Sequence, residues 1–159
     1  MRETTDEDYG RIGTGFFFED LSVGMRFRTA GRTLTQADLS AFCNLTWLTE
    51  ELFTNAAHRA EMALPDQVVP GALVYGFAEG LLLPMMQDTG LAFLEADVKV
   101  KGPTVVGDTI TVYCEVVEAR LTSKGGRGLV RTFNSVRRAD GTELLTYNPL
   151  RMIKARSAG

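Results

Sequence analysis

The chain has 159 residues, 45% of them hydrophobic and 23% charged. That is the composition of one folded domain, and it excludes a disordered, collagen-like or coiled-coil chain. With 17 basic against 20 acidic residues the net charge is −3, so no basic excess exists to neutralise a phosphate backbone and no nucleic-acid partner is expected. Cys43 and Cys114 form neither a disulfide framework nor a zinc spacing, and the one histidine is His58, so no metal site is expected.

Residues 1–14 read as a loose tail, polar and acidic where a secretory signal would be apolar, and residues 15–159 as a single domain. The longest greasy stretch, from Val68 to Met86, is interrupted by Pro70, Glu79 and Pro84; a buried helix fits it, a membrane span does not, and the expected location is cytoplasmic. Phe16 to Leu21 leads into a turn at Val23-Gly24, and Met25 to Thr29 and Arg32 to Leu34 read as short extended pieces. Thr35 with Asp38 three residues on is a capping box, and Leu39, Phe42 and Cys43 give the helix that follows an apolar side. Thr49 is expected to cap a second helix.

The main helix is expected from Gly71 to Met86, after Pro70 at its first turn and ending at Pro84 and Asp88-Thr89-Gly90. Gly76 and Gly80 make one side flat enough to lie against a sheet, while Ala72, Tyr75, Glu79, Leu82 and Met86 share another. Beyond it the hydrophobic period drops to two. Strands are expected over Asp97–Lys101, Thr109–Glu118 with Ile110, Val112, Cys114 and Val116 on one face, Leu129–Arg137 and Leu144–Ile153. Lys124-Gly125-Gly126-Arg127-Gly128 is the hairpin connection, and Pro149 marks an edge or bulge. The fold class is α+β, a sheet wrapped on a helix.

The pieces Phe18-Glu19-Asp20-Leu21 with Gly24, Arg32-Thr33-Leu34-Thr35 with Asp38 and Phe42, Val68-Val69-Pro70-Gly71, Gly80-Leu81-Leu82 and Gly107-Asp108-Thr109, in this order, resemble the MaoC-like family of hot-dog proteins. That family includes (R)-specific enoyl-CoA hydratases and 3-hydroxyacyl-thioester dehydratases. The resemblance implies a curved antiparallel sheet gripping a long central helix. It also implies pairing of two hot-dog units as a homodimer or heterodimer, and an acyl thioester of coenzyme A or carrier protein as substrate, with no separate cofactor. It makes the backbone N–H of Gly71 the oxyanion donor, a role for which a helix N-terminus is physically suited.

The family's hydratases carry Asp-x-Asn-Pro-x-His after the first helix. In register, Leu48 stands at the aspartate and Phe53 at the histidine, so the proton-transfer pair is replaced by side chains that hold no proton. Asn55 replaces a usual aspartate two positions on. His58 sits five residues late, a packing or surface histidine unless an insertion brings it into the pocket. Glu79 stands where many of these hydratases have a serine, eight residues from Gly71. It is either a general base in an apolar setting or a carboxylate paired with an arginine such as Arg59 or Arg131. Trp47, Leu48, Phe53, Tyr75 and Val68 are the candidate acyl-pocket residues, with packing as their alternative role. Lys99, Lys101, Lys124, Arg127, Arg137 and Arg138 are candidates for coenzyme phosphates or a plain solvated surface. Three functions stay open: an acyl-thioester hydratase/dehydratase with non-standard residues, a non-catalytic subunit pairing with a dyad-bearing one, or a thioesterase using Glu79.

Overall fold

The computed structural model describes residues 11–62, 64 and 66–156; the first ten residues of the expected tail lie outside them. Thirteen described elements follow one another. They are β1 (Arg26–Arg28), β2 (Arg32–Thr33), α1 (Gln36–Thr46), α2 (Glu51–Thr54), α3 (Ala56–Glu61), α4 (Gly71–Leu81), α5 (Leu83–Met86), β3 (Gly90–Glu95), β4 (Val98–Val100), β5 (Thr109–Leu121), β6 (Arg127–Arg138), β7 (Glu143–Tyr147) and β8 (Leu150–Lys154). All the strands join one eight-stranded antiparallel sheet, ordered β1-β5-β6-β7-β4, with β2 also on β5 and β8 carrying β3 off β6.

The long strands form where the alternation is cleanest. Ile110, Val112, Cys114 and Val116 on β5 are all buried, and they meet Leu73, Val74, Ala78 and Leu82 of the central helix in a single core. Gly125 and Gly126 both take positive φ, 65° and 68°, the conformation a tight hairpin between right-twisted strands requires.

Five expectations change. The central helix stops at Leu81, and α5 begins after Leu82: Pro84, which cannot supply a helix-interior N–H, instead sits in the first turn of this second short helix. The final strand is two, because the ladder is interrupted at Asn148-Pro149 before β8 resumes on the same edge of β6 in the same register, with β3 rather than β4 as its outer neighbour. Strand β3, unforeseen, forms from Gly90–Glu95, whose residues are all exposed and so lack an alternating signature. Gly76 and Gly80 face away from the sheet, since a Cβ on either would meet nothing within 4 Å. The larger apolar area on the Leu73, Val74, Ala78 side takes the inward position. Glu50, not Thr49, precedes α2, and Asn55 caps α3 by accepting from the N–H groups of Ala57 and His58.

Candidate functional site

The start of α4 is set by the segment before it. Val69 N–H donates to Thr104 O and Val106 N–H to Gln67 O, tying residues 67–69 to the loop ahead of β5. Pro70 then occupies the cap position, and no side chain caps the helix, so the N–H groups of its first turn are not taken by a cap. Gly71 faces β4: a methyl group there would lie 3.1 Å from Val100 Cγ2.

From Gly71 a half-buried stripe runs along α4 through Tyr75 to Glu79. Tyr75 packs edge-on against Tyr147 of β7, ring centres 5.0 Å apart. Glu79 accepts from the Tyr147 hydroxyl at 2.9 Å and is held by both terminal nitrogens of Arg151 on β8, Nη1 reaching Oε2 at 2.8 Å and Nη2 reaching Oε1. Arg151 is buried, and its guanidinium lies 5.2 Å from the Phe93 ring centre on β3. Burial first, then the nearby Glu79 charge, pushes the Tyr147 phenol far above its ordinary range; the same two influences raise Tyr75. Cys114, across the sheet on the same inner face, is pushed up to about 12 by burial and is no nucleophile.

Glu79 thus has an arginine partner, and it is Arg151 rather than Arg59 or Arg131. Arg59 donates to Leu52 O, and Arg131 pairs with Glu95 and Glu118. A cavity of about 350 Å³ opens beside Glu79 and Arg151, walled by Leu83, Met86, Leu91 and Phe93; Gly71 does not line it.

The other candidates lie apart. Trp47 ends α1 in a left-handed conformation and is 87% exposed. Leu48 is exposed beside it. Phe53 packs on the core and lines a separate cavity of about 420 Å³ with Leu39, Cys43 and Arg59. Val68 bridges to Val105 and borders a third cleft with Asp108 and Arg138. His58 lies on α3, its Nδ1 3.5 Å from Glu51 Oε2. The candidate phosphate-binding cations are dispersed: Arg138 is tied to Asp108, Lys99 to Asp97, and Arg137 to Ser135.

Arg151 and Tyr147 are the residues that sequence reasoning missed. A signal was present: Arg151 and Ile153 alternate as buried positions on β8, followed by the buried Ala155 just past its end. A buried cation there demands a carboxylate, and Glu79 is the only one on the central helix.

With that geometry in place, likeness to known proteins becomes informative. No protein-family model matches the sequence. Over 95 residues the chain is 25% identical to the (R)-specific enoyl-CoA hydratase of Rhodospirillum rubrum, a match spanning 60% of this chain and 65% of that enzyme. The MaoC-like dehydratase structure from the same organism superposes with a TM-score of 0.77 at 22% identity, covering 90% of this chain and 99% of the other. This chain has the hot-dog fold. A conserved hypothetical protein of Mycobacterium tuberculosis with a double hotdog fold gives a TM-score of 0.85 at 24% identity, covering 94% of this chain and 47% of that one. The expected curved antiparallel sheet on a central helix is the fold these MaoC-like structures share.

Proposed function

We propose that this MaoC-like chain is the thioester-binding half of an acyl-thioester hydratase/dehydratase, and that a second hot-dog unit carrying the proton-transfer pair completes it. The observation that carries this reading is the Glu79–Arg151–Tyr147 cluster. A carboxylate neutralised by a guanidinium and a phenol is a poor general base, because taking up a proton would strand Arg151 buried and unpaired. Leu48 and Phe53 supply no replacement. What remains is binding: the uncapped first turn of α4 offers Gly71 N–H to a thioester carbonyl. A thioesterase using Glu79 would first have to release it from Arg151.

Pairing is supported by what the chain leaves open. Strand β3 is an edge strand exposing Leu91, Phe93 and Leu94, and β4, which continues the same edge, exposes Val98 and Val100. The outer side of α4 beside them presents Ala72, Gly76 and Gly80, all exposed and without charge. Such a surface is a ready partner site.

The test compares the chain alone with the chain co-expressed with a dyad-bearing MaoC-like subunit, on a series of enoyl-CoA and 3-hydroxyacyl-CoA substrates. The expected result is thioester binding but no turnover alone, and turnover in the pair. A second reading, that the chain works unaided, has one observation behind it: the His58–Glu51 contact rebuilds an imidazole–carboxylate pair a few residues beyond the expected place. Turnover by the homomer that His58→Ala abolishes would establish that reading instead.

A further inference from the structure

The cavity beside Glu79 is greasy on its walls and ionic on one side. Leu83 and Met86 of α5 and Leu91, Ala92 and Phe93 of β3 line it together with the Glu79–Arg151 pair. A carboxylate offers about four acceptor positions. Three are used, by the Tyr147 hydroxyl and by the two Arg151 nitrogens. Glu79 keeps 23% of its side chain exposed while Arg151 is covered, so what the cavity offers a ligand is the remaining acceptor. The polar capacity nearby is not filled by the protein: Arg151 Nε is buried without a hydrogen-bond partner among the described residues.

A plain alkyl tail entering this space would strip water from Glu79 and return nothing, a penalty that a hydrogen-bond donor on the tail removes. Glu79 lies eight residues along α4 from Gly71, about 12 Å at the helical rise. A chain anchored at Gly71 and laid along the Tyr75 stripe therefore brings a distal atom to Glu79, not one next to the thioester.

We infer that the Glu79–Arg151 cavity selects acyl thioesters that carry a hydroxyl group far from the thioester end. The inference rests on the thioester-binding reading above and adds to it the substrate class. The hydroxyl donates to the free position on Glu79, and the alkyl stem packs on Leu83, Leu91 and Phe93.

The experiment measures, by calorimetry on the full chain, binding of octanoyl-CoA, β-hydroxyoctanoyl-CoA and ω-hydroxyoctanoyl-CoA, with the decanoyl set in parallel. The ω-hydroxyl forms are expected to bind about tenfold tighter than their plain counterparts, the effect of one hydrogen bond to a charged group. Glu79→Leu combined with Arg151→Met should bring that ratio close to one. Ala92→Phe, which fills the cavity without touching the ion pair, should do the same and serves if the double variant does not fold. Equal affinities across each set, a preference for the β-hydroxyl, or a preference that survives Ala92→Phe would overturn the inference while leaving thioester binding intact. Failure of every thioester to bind would remove the thioester-binding reading and this inference with it.

Discussion

Glu79 and Arg151 illustrate how one buried charge dictates another. Removing only the carboxylate, as in Glu79→Leu, leaves a covered guanidinium without a counterion and is expected to cost about 3–5 kcal/mol. Replacing both, as Glu79→Leu with Arg151→Met, is expected to be near neutral or stabilising; urea unfolding of the three proteins gives the comparison. A small loss in the single variant would mean that the pair is solvated and holds nothing together. Gly15 is a second residue with a sharp requirement. Its N–H donates to Gln87 O, and a Cβ on it would run into the Met85 carbonyl, so Gly15→Ala should lower the melting temperature although the residue is only half-buried. At this scale the sequence was partly legible. It identified Glu79 as a carboxylate needing explanation and an arginine as the conventional answer, but not which arginine. Arg59 and Arg131 are close to the right length and charge; only the sheet register, Val130 opposite Arg151, puts one guanidinium under the helix.

Among the elements, α1 was the most readable because its signals are local. Thr35 Oγ1 accepts from Asp38 N–H at 3.2 Å, and Asp38 returns a bond to Thr35 N–H at 2.9 Å. That backbone bond, with help from Thr35 and Arg32, holds the Asp38 carboxyl below its ordinary range. A group whose folded pKa is depressed stabilises above its unfolded value, about 3.9, and loses that contribution as pH falls through the folded value. Asp38→Asn should therefore be less stable than the parent at neutral pH, with the difference shrinking as the solution is acidified below about pH 4 in thermal melts. A gap independent of pH would show that the charge plays no part. Thr35→Ala should cost about 1 kcal/mol at neutral pH. The break at Leu82 and the split at Pro149 were less readable, because each depends on where the chain must go next. Proline shows only where a ladder is interrupted. It does not show whether a helix ends or restarts, or that a strand resumes on the same neighbour in the same register. Strand β3 left no pattern at all, since alternation arises from one buried face and β3 has none.

The whole molecule is a sheet with one border formed end to end by β3 and β4 and the other by β1 and β2. In the pairing proposed above, a second hot-dog unit on the β3–β4 border would cover the exposed Leu91, Phe93, Leu94, Val98 and Val100 together. Leu94→Lys places a cation on the exposed edge and should shift sedimentation toward the single chain, with little change in that chain's own unfolding midpoint. An unchanged assembly would move the partner surface elsewhere. Here the hydrophobic spacing and element order were enough for a sheet wrapped on a helix, and the pieces quoted from Phe18 to Thr109 added the expectation of a paired unit.

The bare backbone of β3 has a practical side. The side of β3 turned away from β8, beside Leu91, Phe93 and Leu94, is a template for strand addition. On the proposed pairing, precipitation is expected when the chain is produced alone, and yield in the soluble fraction becomes a quick gauge of whether co-expression with a second hot-dog unit covers this edge.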